Sequence, residues 1–282
     1  AVECLEVLEK DKYLASGSKD NTVRIWNLQT MKEETVFEGH SDTINCLALL
    51  NAGKHLASGS SDKTVRIWNL QTMTEETVFK GHSDSVYCLA PLGKYLASGS
   101  YDAKVRLWNL HTMKEEAIFK SHVGSVNCLA VIGKYLASGS RDNNIVIWDI
   151  EKMQQETVFE GHSNGVLCFS VLENNILASG SLDGTVRIWD LQNMNELVVL
   201  EGHSNSVECL EPLQKGLASG SKDNTLRIWN LKKEQSEFVL EGHSNLVYRL
   251  VAKGKYLFSG AFDKTVRVWN LETMQQEALL EG

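Results

Sequence analysis

The chain has 282 residues, 43% of them hydrophobic and 23% charged, and these proportions exclude an intrinsically disordered polymer. Its formal net charge of −8 disfavours nonspecific binding to nucleic acid or to an anionic membrane, since both require a positive field. No apolar run approaches the roughly 18 residues that cross a bilayer, and the opening AVECLEVLEK lacks the basic start and long apolar centre of a secretory signal.

One unit is repeated along the whole chain. Successive tryptophans are 42, 40, 40, 41, 40 and 40 residues apart, and the text around them is nearly the same, as in KYLASGSKDNTVRIWNL and KHLASGSSDKTVRIWNL. Self-similarity at a fixed period of this length is the signature of a repeat architecture. The seven tryptophans are Trp26, Trp68, Trp108, Trp148, Trp189, Trp229 and Trp269.

Each repeat is predicted to contain four short strands and no helix. In the third repeat the strands are VYCLA (86–90), YLASG (95–99), KVRLWNL (104–110) and EEAIF (115–119). They are rich in β-branched and aromatic residues and are bounded by Gly, Asn, Asp and Ser. Four such strands cannot bury both faces of their sheet, so we expect the repeats to stack on one another. Variation in the loop between the first two strands accounts for the two longer tryptophan spacings.

Glycine-histidine, Leu-Ala-Ser-Gly, Asp and Trp recur in fixed order, and on these motifs the chain resembles the WD-repeat β-propeller family over its full length. Departures are modest: Trp is followed by Asp only at Asp149 and Asp190, and Ser121 stands in place of glycine before His122. The resemblance implies an all-β, seven-bladed β-propeller with four antiparallel strands per blade. The blades are expected in sequential order without an exchanged closing strand. We expect a single domain, 1–282, with blades at about 1–38, 39–80, 81–120, 121–160, 161–201, 202–241 and 242–282.

Within each repeat, Asp lies four residues and Trp ten residues after a serine, and six repeats also have the histidine. Ser, His and Asp could form a nucleophile, its base and an orienting acid. An enzyme, however, does not need its nucleophile in seven near-identical copies. The resemblance implies instead a buried chain of hydrogen bonds from the Trp indole to Ser, from Ser to His and from His to Asp. We therefore expect no catalytic residue and no enzyme activity, with no cofactor and no metal.

We call each such set a tetrad. The first repeat has Ser16, Asp20 and Trp26 but no histidine. The other tetrads are His40, Ser58, Asp62, Trp68; His82, Ser98, Asp102, Trp108; His122, Ser138, Asp142, Trp148; His162, Ser179, Asp183, Trp189; His203, Ser219, Asp223, Trp229; and His243, Ser259, Asp263, Trp269.

The six cysteines all occupy one position of the first strand, each in a different repeat. An even number of cysteines could indicate disulfides, but neighbouring repeats are expected to hold these residues too far apart for bridging. We interpret them as small buried hydrophobic residues, in preference to a central metal site. Free buried thiols indicate an intracellular protein, cytoplasmic or nuclear. The cysteines are Cys4, Cys46, Cys88, Cys128, Cys168 and Cys209.

Two positions vary most among the repeats: the residue before the turn aspartate, and the residue after the first Val or Ile of strand one. Because the first two strands are antiparallel neighbours, we expect both positions to meet near one rim. The resemblance implies that this is the partner-binding top rim around the central channel, although the same residues could merely cover the channel mouth. The predicted binding residues are Glu3, Lys19, Tyr87, Tyr101, Arg141, Leu167, Leu182, Glu208, Lys222, Tyr248 and Phe262.

The two variable positions match in character within a repeat, as contact between them would produce. We predict local ion pairs between Glu3 and Lys19 and between Glu208 and Lys222, each worth at most roughly 1 kcal/mol. Arg249, which replaces the cysteine of the last repeat, is expected to point into a wet channel or to pair with an acid such as Glu208.

These features together predict a non-catalytic scaffold that binds a protein or peptide on its top rim. One alternative is the substrate receptor of a ubiquitin ligase, which would read a degron, and another is the targeting domain of a larger enzyme such as a kinase. Neither nucleic acid nor membrane is expected as a partner. We also expect the chain to be part of a longer protein or a complex.

Overall fold

A computed structural model of the chain describes residues 1–8 and 12–281. In this part of the chain twenty-eight β-strands form seven four-stranded sheets, and strands that follow one another in sequence are neighbours in each sheet. The predicted fold class is confirmed: the protein is an all-β, seven-bladed β-propeller with sequential antiparallel blades and no exchanged strand. No helix among the described residues is long and apolar enough to span a membrane.

The chain divides into two compact units, one of residues 1–131 with 149–154 and the other of residues 132–148 with 155–282. Blades 1 to 3 lie in the first unit. A short 3-10 turn, Asn51–Gly53, fills the longer loop between the first two strands of blade 2. The strands of blades 1 to 3 are β1 (Val2–Leu8), β2 (Tyr13–Ser18), β3 (Val23–Asn27), β4 (Lys32–Phe37), β5 (Ile44–Leu50), β6 (His55–Ser60), β7 (Thr64–Asn69), β8 (Thr74–Lys80), β9 (Val86–Leu92), β10 (Tyr95–Ser100), β11 (Val105–Asn109) and β12 (Lys114–Phe119).

Blades 5 to 7 lie in the second unit, and blade 4 has segments in both. The strands of blade 4 are β13 (Val126–Ile132), β14 (Tyr135–Ser140), β15 (Ile145–Asp149) and β16 (Gln154–Phe159). The strands of blades 5 to 7 are β17 (Val166–Leu172), β18 (Ile176–Ser181), β19 (Val186–Asp190), β20 (Asn195–Leu200), β21 (Val207–Leu213), β22 (Gly216–Ser221), β23 (Leu226–Asn230), β24 (Gln235–Leu240), β25 (Val247–Lys253), β26 (Tyr256–Ala261), β27 (Thr265–Asn270) and β28 (Gln275–Glu281).

The first strand of a blade carries a bulge near its start. In blade 1 the register passes from Val2, paired with Ser18, to Cys4, paired with Gly17, and skips Glu3. A bulged residue is left out of the ladder, so its side chain can be aimed without constraint from cross-strand pairing. The same irregularity skips Asn45, Tyr87, Leu167, Glu208 and Tyr248.

In the first unit, consecutive blades pack through an aromatic stack and a glycine contact. Trp68 of blade 2 stacks on Phe37 of blade 1, with ring centroids 4.9 Å apart. Ile44 of blade 2 lies against Gly17 of blade 1, where an added Cβ would be 2.6 Å from Ile44 Cγ2. Any larger residue at Gly17 would therefore separate the two sheets, because a close-packed interface cannot absorb the extra volume.

The second unit repeats this packing. Trp189 stacks on Phe159 with ring centroids 4.9 Å apart, and Val207 of blade 6 lies against Gly180 of blade 5, where an added Cβ would be 2.7 Å from Val207 Cγ1. Trp229 belongs to the same core and is 1% exposed. Trp68, Trp108 and Trp189, which mark the repeat in the sequence, thus pack one blade against the preceding one.

The first and last blades each leave an apolar face exposed. In the first unit Val2 is 58% exposed, whereas its blade 2 counterpart Ile44 is fully buried. In the second unit Leu280 is 55% exposed and Val266 39%, whereas Leu240, the blade 6 counterpart of Leu280, is 4% exposed. The end repeats of stacked arrays usually carry a polar outer face, and these two blades do not.

Candidate functional site

The tetrad of blade 2 forms one continuous chain of hydrogen bonds. The Trp68 indole Nε1 donates to Ser58 Oγ at 2.8 Å, Ser58 Oγ lies 2.7 Å from His40 Nε2, and His40 Nδ1 lies 2.7 Å from Asp62 Oδ2. Every proton has an acceptor if Ser58 donates to Nε2 and the Nδ1–H of His40 donates to the carboxylate. The order of partners is the one that the resemblance implies.

The other blades repeat this arrangement. In blade 1 the indole of Trp26 donates to Ser16 at 2.8 Å, and in blade 4 the indole of Trp148 donates to Ser138 at 2.9 Å. His122 of blade 4 is buried. Histidine bonds to Ser and Asp of 2.7 to 2.9 Å occur in the tetrads of His82 in the first unit and of His162, His203 and His243 in the second.

The tetrad aspartates of blades 2, 3, 5, 6 and 7 are held ionised. Burial alone would raise the pKa of Asp62, but hydrogen bonds from His40 and Thr64 outweigh it. The pKa of Asp62 therefore lies well below its usual range. Thr64 Oγ1 donates to Asp62 Oδ1 at 2.6 Å, and the backbone N–H of Ser41 donates to Oδ2 at 3.0 Å. The pKa values of Asp102, Asp183, Asp223 and Asp263 are lowered in the same way.

The tetrad has the bonding order of a nucleophilic triad, yet its serine cannot act as one. Ser58, Ser98 and Ser179 have no exposed surface, so no substrate carbonyl can approach their Oγ atoms. Each Oγ also accepts a hydrogen bond from the indole N–H, and a nucleophilic serine would have to give up that bond in order to attack. The arrangement instead satisfies buried polar groups, for which each bond contributes roughly 1 kcal/mol net.

In blades 1, 2, 3, 5, 6 and 7 the two variable positions, which we call the rim columns, lie together. The strand-one column contains the bulged residues, and the turn column contains the residue before the tetrad aspartate. In blade 1 the backbone N–H of Lys19 donates to the carbonyl of Ala1 at 2.9 Å, which ties the turn to the start of strand one. Equivalent bonds of 2.9 to 3.0 Å start from Ser61, Tyr101, Leu182, Lys222 and Phe262.

In the first unit the rim columns carry an ion pair and an aromatic pair. Lys19 Nζ lies 3.4 Å from Glu3 Oε1, as predicted. The rings of Tyr87 and Tyr101 have centroids 6.1 Å apart with an interplanar angle of 51°. Their side chains are 42% and 52% exposed, so the pair presents apolar area to solvent while each ring supports the other.

In the second unit a similar aromatic pair is joined by a cation. Tyr248 and Phe262 meet edge to face with centroids 5.6 Å apart, and Phe262 is 62% exposed. The guanidinium of Arg249 lies over the Tyr248 ring at 4.6 Å. Among the residues that the structure describes, Arg249 has no ion pair with Glu208 or with another acid. Of the two alternatives predicted for Arg249, the pair with an acid is therefore not formed, and the guanidinium makes a cation–π contact instead.

One predicted ion pair of the second unit does not form. Glu208 Oε1 accepts a hydrogen bond from Ser206 Oγ at 2.5 Å, and within the described ranges no oxygen of Glu208 is within 4.0 Å of Lys222 Nζ. The Glu208 carboxylate binds the hydroxyl of Ser206, two residues away on its own strand, and does not reach across the turn to Lys222. Lys222 is exposed, as is Arg141 of blade 4, whereas Leu167 and Leu182 are half-buried.

The outer two strands of the blade are joined by an arginine–glutamate ion pair that the sequence analysis did not predict. In blade 1, Arg24 Nη1 donates to Glu33 Oε2 at 2.5 Å, and Arg66 and Glu75 pair in the same way in blade 2. The acidic fourth strands are therefore partners of the strand-three arginines as well as charged edges. Aligning both columns across the repeats could have found this, since Arg and Glu recur together. Further pairs join Arg106 to Glu115 and Arg187 to Glu196.

The cysteines line the junctions between blades. None of the six cysteines, all of which lie in the described ranges, forms a disulfide, and Cys88 Sγ donates a weak bond to the carbonyl of Val126 in the next blade at 3.8 Å. Burial raises the pKa of Cys88 to about 12, so this thiol is protonated and inert at neutral pH. No group of three or more His, Cys, Asp or Glu side chains in the described part of the chain could hold a metal ion.

Comparison with known proteins agrees with this geometry. The family model for the second β-propeller of TEP-1 matches residues 45–231, and the model for the WD domain, G-beta repeat, matches residues 1–27 and 234–270. No curated protein matches the chain. The matching solved structures include the crystal structure of the computationally designed Ika8 protein, with 32% identity and a TM-score of 0.88. That match covers 95% of this chain and 83% of the designed one.

Proposed function

We propose that this chain, which belongs to the WD-repeat β-propeller family, is a non-catalytic scaffold that binds a protein or peptide through its rim columns. The observation that carries the proposal is the exposure of paired aromatic side chains in the rim columns. Tyr101 and Phe262 are 52% and 62% exposed, although neither is needed to fill a core. Exposed aromatic residues that are braced by a neighbour are typical anchors of protein interfaces.

The tetrads support a scaffold role because they make each blade rigid without consuming a rim residue. Ser58 and His40 are buried beneath the turn that carries Ser61, and the bonds to Asp62 fix that turn. A side chain on such a turn is held in place before binding, so less conformational entropy is lost when a partner docks.

The charge of the second unit favours a partner with acidic as well as apolar side chains. Arg249 lies beside Tyr248. Lys222 is exposed and is not paired with Glu208, the acid of its own repeat, which binds Ser206 instead. A carboxylate of the ligand would pair with either cation, while an apolar side chain covered the ring of Phe262. Exposed cations beside aromatic anchors also favour the degron receptor of a ubiquitin ligase as a second candidate, since many degrons are acidic or phosphorylated.

A peptide-display selection tests the binding role. Random peptides are selected on the intact chain, and the strongest binders are measured by calorimetry against Phe262→Ala and Tyr101→Ala. We expect one of these substitutions to weaken binding at least about tenfold, the effect of removing an interface anchor.

Phe238→Ala is the matched control, because Phe238 is 40% exposed but lies on the outer strand β24, outside the rim columns. Its binding should equal that of the unmodified chain. Selected peptides that bind all three variants equally well would contradict the proposal, as would a selection that yields no binder.

A further inference from the structure

The outer hairpin of blade 6, β23 and β24, lacks one residue of a pair that other blades contain. In blades 1, 2, 3 and 5 the strand-three arginine binds a glutamate that faces the tryptophan across the hairpin, as Arg187 binds Glu196 opposite Trp189. Blade 6 keeps the arginine, Arg227, but places Ser236 opposite its tryptophan.

Arg227 is held where its counterparts are held. An added Cβ on Gly202 would lie 2.7 Å from Arg227 Nη1, and the same distance separates Gly161 from Arg187 Nη1. Its guanidinium lies 5.9 Å from the centroid of the Trp229 ring. Within the described residues no side-chain oxygen binds Nη1 of Arg227, whereas Glu196 Oε2 binds Nη1 of Arg187 in blade 5. The buried Nε of Arg227 is unpaired, as it also is in the arginines that have a glutamate partner. A receptor for an anion is thus in place without its anion.

We propose that Ser236 is a phosphorylation site and that Arg227 binds the phosphate. A protein kinase would transfer the γ-phosphoryl group of a nucleoside triphosphate to Ser236 Oγ. The new P–O bond forms as the bond to the β-phosphate oxygen breaks, the nucleoside diphosphate leaves, and the hydroxyl proton passes to the kinase base. Phosphorus then lies as many bonds from Cβ as the carboxyl carbon of Glu196 does, so a phosphate oxygen can reach Arg227 Nη1 as Glu196 Oε2 reaches Arg187 Nη1.

The surroundings of Ser236 suit both the enzyme and the product. Lys232 and Lys233 are exposed and precede the serine, which offers the positive charge that basic-directed kinases read. The hydroxyl makes one weak bond, to the carbonyl of Phe238 at 3.3 Å. Glu237 adds a negative neighbour, and Lys233 Nζ lies 3.3 Å from Glu237 Oε1 and offsets it.

Adjacent anions are already accommodated at this place in other blades. Glu75 and Glu76 of blade 2 stand where Ser236 and Glu237 stand in blade 6, and they separate by pairing with Arg66 and Asn69. Glu237 likewise accepts from the Asn of its own blade at 3.4 Å. The modification is independent of the binding role proposed for the rim columns.

The first test measures whether Arg227 receives the phosphate. Phosphoserine is installed at position 236 of the intact chain during synthesis, and its phosphate is titrated by phosphorus NMR with and without Arg227→Gln. We expect the second phosphate pKa to lie below its ordinary value of about 6 and to return there in the variant. The phosphorylated chain should also melt at a higher temperature than Ser236→Ala. Identical pKa values in both proteins would overturn the assignment of Arg227.

The second test measures whether Ser236 is modified. The folded chain is incubated with ATP and cyclic-AMP-dependent protein kinase, and the sites are located by mass spectrometry. Phosphate on Ser236 that disappears with Lys232→Ala and Lys233→Ala together is expected. Phosphate confined to other residues, or none at all, would overturn the site. For the melting temperature of the first test, Gln276→Glu is the matched control for negative charge alone. Gln276 faces Arg267 at the same place in blade 7 and cannot be phosphorylated.

Discussion

The buried tetrads and the exposed rim columns lie next to each other in every blade, yet they differ in how far they repeat. Asp62 of the tetrad accepts hydrogen bonds from four groups, whereas among the described residues the side chain of Ser61 beside it is bonded only to Asn45. Substituting the first would leave buried donors without an acceptor. Substituting Ser61 would change only a surface contact, and this position accordingly differs from one repeat to the next.

The bulge of strand one explains why the two regions are separable. Tyr87 and Tyr248 are skipped by the strand ladder, so either can be replaced without the loss of a cross-strand pair. Cys88, one residue further on, sits 2.6 Å from the place where a Cβ on Gly99 would lie. One step along the chain therefore moves from a free position to a tightly packed one.

The largest effect is expected from removing a tetrad carboxylate. Asp183→Ala leaves the N–H of His162 and the hydroxyl of Thr185 without their acceptor in a buried site, and we expect the free energy of unfolding to fall by about 3 kcal/mol. Asp20→Ala is the control, because Asp20 has no histidine partner and its side chain is 50% exposed; its cost should stay below about 1 kcal/mol. Chemical denaturation measures both. Equal losses of unfolding free energy in the two variants would mean that the histidine network does not contribute to stability.

Acid should weaken the protein through the same carboxylates. The folded-state pKa values of Asp62, Asp102, Asp183 and Asp223 are lowered, while the unfolded chain protonates them near the ordinary value of about 3.9. Their contribution is therefore present above about pH 4 and is lost as the pH falls toward the folded-state pKa values. Urea unfolding between pH 7 and pH 3 measures it. Asp183→Asn should flatten the fall, and an unchanged curve would exclude the carboxylate as its source.

The rim columns should show the opposite balance of effects. Tyr101→Ala and Phe262→Ala are expected to change the free energy of unfolding by only about 0.5 kcal/mol, because both side chains are more than half exposed. Thermal unfolding checks this on the samples used for peptide binding. A large loss of stability in either variant would assign that ring to the core and remove it from the candidate site.

The smallest effect is expected at the charged rim pairs. A double-mutant cycle on Glu3 and Lys19 should give a coupling of roughly 0.5 kcal/mol that fades with added salt, since the pair is solvent-exposed. The same cycle on Glu208 and Lys222 should give none. Coupling in the second cycle would contradict the capture of Glu208 by Ser206.

The repeating part of the molecule could be predicted from the sequence. The strands expected at 86–90 and 95–99 are found at Val86–Leu92 and Tyr95–Ser100, because the β-branched residues and flanking turns that mark them are local signals. Seven copies of the same signals also fixed the fold class. The contact between the two rim columns followed from the antiparallel pairing of the strands that carry them.

What could not be predicted depends on single side-chain choices. Glu208 was expected to reach Lys222, but a serine hydroxyl two residues away offers a shorter bond with less loss of side-chain freedom. For Arg249 the sequence left open a wet channel or an acidic partner such as Glu208; the acidic partner is absent among the described residues, and the guanidinium lies on an aromatic ring. The bulge at Glu3 was also not foreseen, because it is set by the fit of one strand to the next and leaves no mark in composition.

The exposed faces of the end blades imply an order in which the protein comes apart. Leu280 and Val266 are 55% and 39% exposed, whereas Leu240 of blade 6 is 4% exposed, so the outer hairpin of blade 7, β27 and β28, buries less of its apolar surface. Local opening there exposes little new apolar surface and should need less free energy than opening blade 6. Amide exchange should therefore be faster in blade 7 than in blade 6, and a protease should find its first cut there.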